Sequence, residues 1–162
     1  MSKRIAALGI TLALCVAASY VEFLLPPVLP NLPGVKLGLA NCVVLVLLYR
    51  YGTGFALSVN VVRCVIAGVL FSGIWGLIYS LGGALVSFTA MAALRKTKRF
   101  SVLGISICGG ATHNMAQLAI AALVLNNAAT FSVLYAPLLL AGLCAGVLTG
   151  LAAKLLLERL PW

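Results

Sequence analysis

Three polar clusters interrupt a chain that is otherwise almost entirely apolar. The first is Lys36 with Asn41, in the stretch Pro33-Gly34-Val35-Lys36-Leu37-Gly38-Leu39-Ala40-Asn41; the second is Asn60 with Arg63; the third is His113, Asn114 and Gln117. Lys36, Arg63 and a protonated His113 outweigh the single nearby acid, Glu22, so together they suit an anionic group, phosphate or carboxylate. The amides of Asn41, Asn60, Asn114 and Gln117 can read a polar ring or sugar, and Tyr79 and Trp75 can stack on it or hydrogen-bond to it. Each has a plainer alternative. Arg63 can pair with Glu22 or with carbonyls at a helix break, and His113 can bond Asn60 or a carbonyl across the bundle. Asn41 can cap or join helices, Lys36 can snorkel at a membrane rim, and Tyr79 and Trp75 can belong to an interfacial belt. The clusters argue for a site jointly, because unrelated structural polar groups would not be expected to gather on one side.

Composition excludes other chemistry. Glu22 and Glu158 are the only acids and there is no aspartate. A two-metal site, or a transferase working through Mg²⁺-diphosphate, needs several carboxylates to hold its ions. No G-x-x-x-x-G-K-[ST] loop is present to cradle ATP. The five cysteines, Cys15, Cys42, Cys64, Cys108 and Cys144, form no C-x-x-C pair and read as small packing residues. The expectation is a protein that is not an enzyme and holds no metal or cofactor.

The elements that position these groups follow from hydropathy. Of 162 residues, 64% are hydrophobic and 8% charged, against roughly 25% charged in a soluble domain. That composition belongs to an all-α polytopic membrane bundle, with residues 1–162 as a single domain. The pattern predicts six transmembrane helices, near 2–25, 35–51, 55–71, 75–94, 102–125 and 131–160. A stiff proline-rich loop, 26–34, joins the first two; Gly52-Thr53-Gly54 and Ser72-Gly73 make tight turns. With six spans, Lys3, Arg4, Arg50, the Arg95–Arg99 cluster, Lys154 and Arg159 fall on one side and only Lys36 on the other. The positive-inside rule then puts both termini in the cytoplasm. The net charge of +9 therefore reads as topology signals and lipid contacts, not as a nucleic-acid surface.

An arginine within a span costs at least about 2.5–3.5 kcal/mol, so Arg63 must face the bundle interior or a wet cavity. Asn60, Arg63 and Ala67 share one helical face; Gly110, His113, Asn114, Gln117 and Ala121 share another. Counting residues from the cytoplasmic ends puts every candidate in the outer half and leaves the inner half almost purely apolar, which predicts a pocket open to the outside. Two small-residue stripes, Gly9-Ala13-Ala17 and Gly142-Gly146-Gly150, allow close helix approach. The second serves either the bundle or a partner, and the sequence leaves both open.

The stretches P-G-V-K-L-G-L-A-N at 33–41, Arg63, Y-S-L-G-G-A-L at 79–85 and G-G-A-T-H-N-M-A-Q at 109–117 together resemble a small bacterial membrane family, known as Gx transporter or heptaprenyl diphosphate synthase component I. The resemblance covers nearly the whole chain. Length and layout are also similar to the S components of energy-coupling factor (ECF) importers. That resemblance implies a six-helix bundle of the bacterial cytoplasmic membrane, binding a vitamin-like micronutrient from outside, with loop 26–34 as lid. It implies a transmembrane coupling protein and ATPase subunits as partners, the former docking on an A-x-x-x-A motif matched by Ala13 and Ala17. Prenyl diphosphate synthases carry aspartate-rich metal motifs that are missing here, so the family name implies at most a non-catalytic association. The expected function is thus the substrate-binding subunit of an importer for a small anionic nutrient. The alternatives are an accessory subunit of isoprenoid or quinone metabolism that recruits a soluble synthase through Arg95–Arg99, or a secondary carrier using Glu22 and His113.

Overall fold

The computed structural model describes residues 2–24 and 38–159. These form six α-helices: α1 Ser2–Leu24, α2 Leu39–Tyr51, α3 Thr53–Ala67, α4 Gly73–Thr97, α5 Val102–Val124 and α6 Ala128–Arg159. A π-helical turn, Gly68–Ser72, continues α3. The proline-rich loop 26–34 and Lys36 lie outside the described residues.

The helix ends follow from local chemistry. Two reversals each need only one glycine: Gly52 at φ 86, ψ 179 and Gly73 at φ 67, ψ −177, a region that side chains exclude. Thr53 and Gly54, expected in a turn, therefore begin α3. α4 runs past Leu94 to Thr97, carrying Arg95 and Lys96 into its last turn, where the helix dipole favours cations. It stops at Lys98, which takes the left-handed conformation at φ 56. Ser101 then caps α5, its Oγ accepting from Gly104 N at 3.1 Å.

Among the described residues, four stretches are long and apolar enough to cross a membrane: Ile5–Leu24, Thr53–Thr97, Val102–Val124 and Phe131–Arg159. The 45-residue stretch is folded back on itself at Gly73. Along it Asn60 meets Ala84, Cys64 meets Ser80 and Gly68 packs on Leu77, so α3 and α4 are an antiparallel hairpin. α2, at 13 residues, is shorter than the roughly 20 that a span requires.

α4 and α5 also run antiparallel, with Gly83 against His113 and Gly109 against Met91. So do α5 and α6, where Ser106 meets Thr149 and Asn114 meets Leu138. α2 lies parallel to α6: Gly38 is near Thr149, and Arg50 Nη2 donates to Leu157 O at 2.7 Å. These directions gather Arg50, Arg95, Lys154 and Arg159 at one end of the molecule, the basic end.

The apolar core fills the half next to the basic end. Val44, Leu45, Leu48, Val59 and Ile105 are fully buried there, with Phe88 and Met91 around them. α2 is the central helix, burying seven of its 13 residues. The outer surface is apolar as well, with Ile10, Val69, Ile74, Leu123 and Val133 each more than 60% exposed. So continuous an apolar surface suits lipid rather than water, as in a membrane protein. The Gly142-Gly146-Gly150 stripe turns out to be internal. A Cβ at Gly146 would lie 2.6 Å from Ile107 Cα, and one at Gly142 would lie 2.6 Å from Gly110 O, so the backbones of α5 and α6 touch. The α1 stripe faces outward: Ala13 and Ala17 are exposed, and nothing lies within 4 Å of a Cβ at Gly9.

Candidate binding site

Arg63 is the buried charge around which the site is built, at 6% exposure. Its Nε donates to Asn60 Oδ1 at 3.0 Å and its Nη2 to Asn41 Oδ1 at 2.7 Å. Asn60 is one turn earlier on α3 and Asn41 comes from α2, so two helices orient the guanidinium plane. Asn60 is itself anchored, its Nδ2 donating to Ala84 O at 3.4 Å. Both partners are neutral amides, which fix the group's direction without cancelling its charge. Glu22, considered above as a partner for Arg63, has Oε1 accepting from Leu39 N at 2.6 Å. There the carboxylate caps α2, where Gly38 offers no side chain of its own.

A cavity of about 60 Å³ opens beside Arg63, room for several waters. Side chains from all six helices and the π-turn line it. Of the nine residues considered above for contact with a ligand, five are among them: Asn41, Arg63, His113, Asn114 and Gln117. Asn60 is not. At 2% exposure it stands behind Arg63 and holds it in place. Tyr79 is half-buried next to Ser80 and does not line the cavity. On α4 the lining residues are Ser80, Ser87 and Met91, which share one face. Tyr79 is turned about 100° away from that face; Trp75 is 57% exposed and lines nothing there. Lys36 is among the residues not described.

The glycine-rich motifs set this geometry. A Cβ at Gly109 would meet Met91 Sδ at 2.6 Å, and one at Gly110 would strike Gly142 O. The two glycines let α5 wedge between α4 and α6, which brings His113, Asn114 and Gln117 to the cavity wall one to two turns later. On α4, a Cβ at Gly83 would stand 2.8 Å from Gln117 Cγ and 3.0 Å from His113 Cε1. Gly83 thus makes the space these two side chains occupy. Asn114 also braces the wall, its Nδ2 donating to Leu138 O at 3.0 Å.

Hydroxyls complete the lining: Ser19, Ser72, Ser80, Ser87, Ser106 and Thr149. Ser106 Oγ and Thr149 Oγ1 are 2.9 Å apart and satisfy each other. Ser19 Oγ is buried with no hydrogen-bond partner among the described residues, a wall group ready for an outside donor or acceptor. Sequence reasoning passed over Ser19, Ser87, Ser106 and Thr149, since small hydroxyls in apolar helices usually bond their own backbone. The one signal was spacing: Ser19 lies three residues from Glu22, on the same face. These hydroxyls also correct the depth inferred by counting. Ser106 is only four residues into α5, about 6 Å from its start, so polar lining reaches into the half expected to be almost purely apolar. Below it Met91 and Ile105 belong to the apolar core, which seals the cavity toward the basic end.

The arrangement holds an oriented cation, an imidazole, amides and hydroxyls around a small volume. Such a set is chemically suited to charge-assisted hydrogen bonds with a compact polar or anionic group. Neither curated proteins nor solved structures give a match to this chain. A family model described as heptaprenyl diphosphate synthase component I matches residues 11–156, from the middle of α1 to the last turns of α6 and across the whole cavity. On that match, the chain belongs to the heptaprenyl diphosphate synthase component I family.

Proposed function

We propose that this protein is a substrate-binding membrane subunit of an importer of the energy-coupling factor type, taking a small anionic micronutrient or cofactor precursor. The observation that carries the reading is the central cavity with Arg63 oriented by Asn41 and Asn60. A bundle whose helices all contribute to one enclosed polar volume is organised for capture of a ligand, and a purely architectural subunit has no need of one. In this reading the helices make six passes of a bacterial inner membrane, with α2 short, and the basic end and both termini face the cytoplasm. The apolar core then closes the cavity on the cytoplasmic side, so loading is from outside, under loop 26–34 as lid. Lys36, at the end of that loop, adds a cation to the rim. The outward stripe of Ala13 and Ala17 is the docking face for a coupling protein, and partner ATPases supply the energy. The protein itself catalyses nothing.

A second reading rests on the family's name: a non-catalytic membrane subunit that recruits a soluble prenyl synthase through the Arg95–Arg99 loop. One experiment separates the two. The tagged protein, expressed with its native gene neighbours, is purified, and its bound small molecules and protein partners are identified by mass spectrometry. ATPase and coupling subunits with a bound small anion are the expected result. A soluble synthase recovered without them overturns the importer reading.

A further inference from the structure

A second hollow lies at the basic end; its lining shares no residue with the central cavity, and it is independent of the reading just given. Its volume is about 550 Å³, and its walls include Tyr49, Thr53, Arg95, Lys96, Lys98 and Phe100. That volume falls within the range of small-molecule sites, roughly 300–1,000 Å³. Three cations face one space and no carboxylate lines it. The chain's two acids are elsewhere: Glu22 caps α2 at the other end, and Glu158 pairs with Lys154 on α6 at 3.8 Å. Three like charges around a common hollow repel one another, and an anion seated among them removes that cost.

Arg95 is already placed for the task. Its guanidinium carbon sits 5.2 Å from the centroid of the Tyr49 ring, and its Nη2 donates to Tyr49 O at 3.2 Å. Stacked and half-buried, it keeps its remaining donors in a planar fork of the kind that matches phosphate oxygens. Lys96 and Lys98, both exposed, flank it as mobile point charges. Lys98 is drawn back beside Arg95 by the left-handed end of α4, its N–H donating to Arg95 O at 3.2 Å. The hollow opens where the apolar stretch Thr53–Thr97 ends. Tyr49 and Phe100 beside the cations make an amphipathic rim of the sort that meets lipid phosphates at a membrane surface.

We infer that this hollow is a binding site for a phosphate group, gripped by Arg95 and neutralised by Lys96 and Lys98, and carried either by an anionic phospholipid or by a free diphosphate. The test is native mass spectrometry of the full chain in detergent, titrated separately with phosphatidylglycerol, phosphatidylcholine and inorganic pyrophosphate. One of the two anionic probes should form a saturable adduct, and Lys96→Gln/Lys98→Gln should weaken it at least tenfold. Arg99→Gln/Arg159→Gln removes the same charge from exposed positions outside the hollow and should weaken it less than twofold. A phosphatidylglycerol adduct identifies a rim lipid; a pyrophosphate adduct identifies a soluble diphosphate. Lys96→Gln alone, at an exposed helical position, carries the same comparison if the double variant melts early. Equal losses in the two double variants, preference for phosphatidylcholine, or no adduct with either anionic probe overturns the assignment.

Discussion

Arg63 commits two of its donors to neutral amides and keeps its charge, so the residue-scale question is how much of its surroundings serves the fold and how much serves a ligand. Asn60 serves the fold. Asn60→Ala leaves Arg63 Nε without its acceptor in a buried site, at a cost of about 1–3 kcal/mol. A lowered melting temperature in detergent checks this. Ser19 is the opposite case: its Oγ bonds to nothing among the described residues, so Ser19→Ala removes an unsatisfied buried hydroxyl and should leave stability unchanged or raise it, by up to about 1–3 kcal/mol. The same substitution should cut the amount of co-purified small molecule severalfold if Ser19 faces the ligand. Arg63→Ala should abolish co-purification while the protein still elutes as a folded species; full retention of the small molecule would make the cluster purely structural. Of these residues, Arg63 was legible in the sequence because a charge in an apolar helix has few explanations. Ser19 was not, because a hydroxyl has many.

The elements are joined by close backbone approach more than by large side chains. Gly110 and Gly146 let α5 and α6 touch, and α2 is packed on nearly every side. Gly146→Ala puts a methyl 2.6 Å from Ile107 Cα and 2.8 Å from Ser106 O. Neither atom belongs to a flexible side-chain end, so α6 must shift, at about 1–3 kcal/mol. Because Ser106 and Thr149 line the cavity at this contact, ligand retention should fall together with the melting temperature. A variant that melts as the parent does would mean that the contact is loose. The spacing of the small residues on α6 announced a close approach, but the partner helix was written nowhere in it. Likewise the helix ends shifted by a few residues, since a single glycine at position 52 or 73 reverses the chain where the sequence suggested a longer turn.

At the scale of the whole molecule, the parallel and antiparallel contacts bring four basic residues to one end and leave the polar cavity on the other side of the apolar core. If the positive-inside rule governs, a green fluorescent protein fused after residue 159 should fluoresce and alkaline phosphatase there should be inactive. The same pair inserted at Asn126-Asn127, in the turn between α5 and α6, should give the reverse. The opposite pattern would place the basic end outside and overturn loading from the far side. Sequence alone determined the class of protein, because hydropathy and the scarcity of acids depend only on composition. It also determined that Arg63 faces inward, because the cost of a lipid-facing arginine does not depend on its neighbours. The packing of the helices settled that Asn60 orients Arg63, that Tyr79 and Trp75 turn away, that Ser19 and five further hydroxyls complete the wall, and that Arg95, Lys96 and Lys98 surround a hollow. Each of these depends on how one helix is rotated against another. That rotation is set by which glycines meet which side chains across an interface, and a single chain read in order does not contain those pairs.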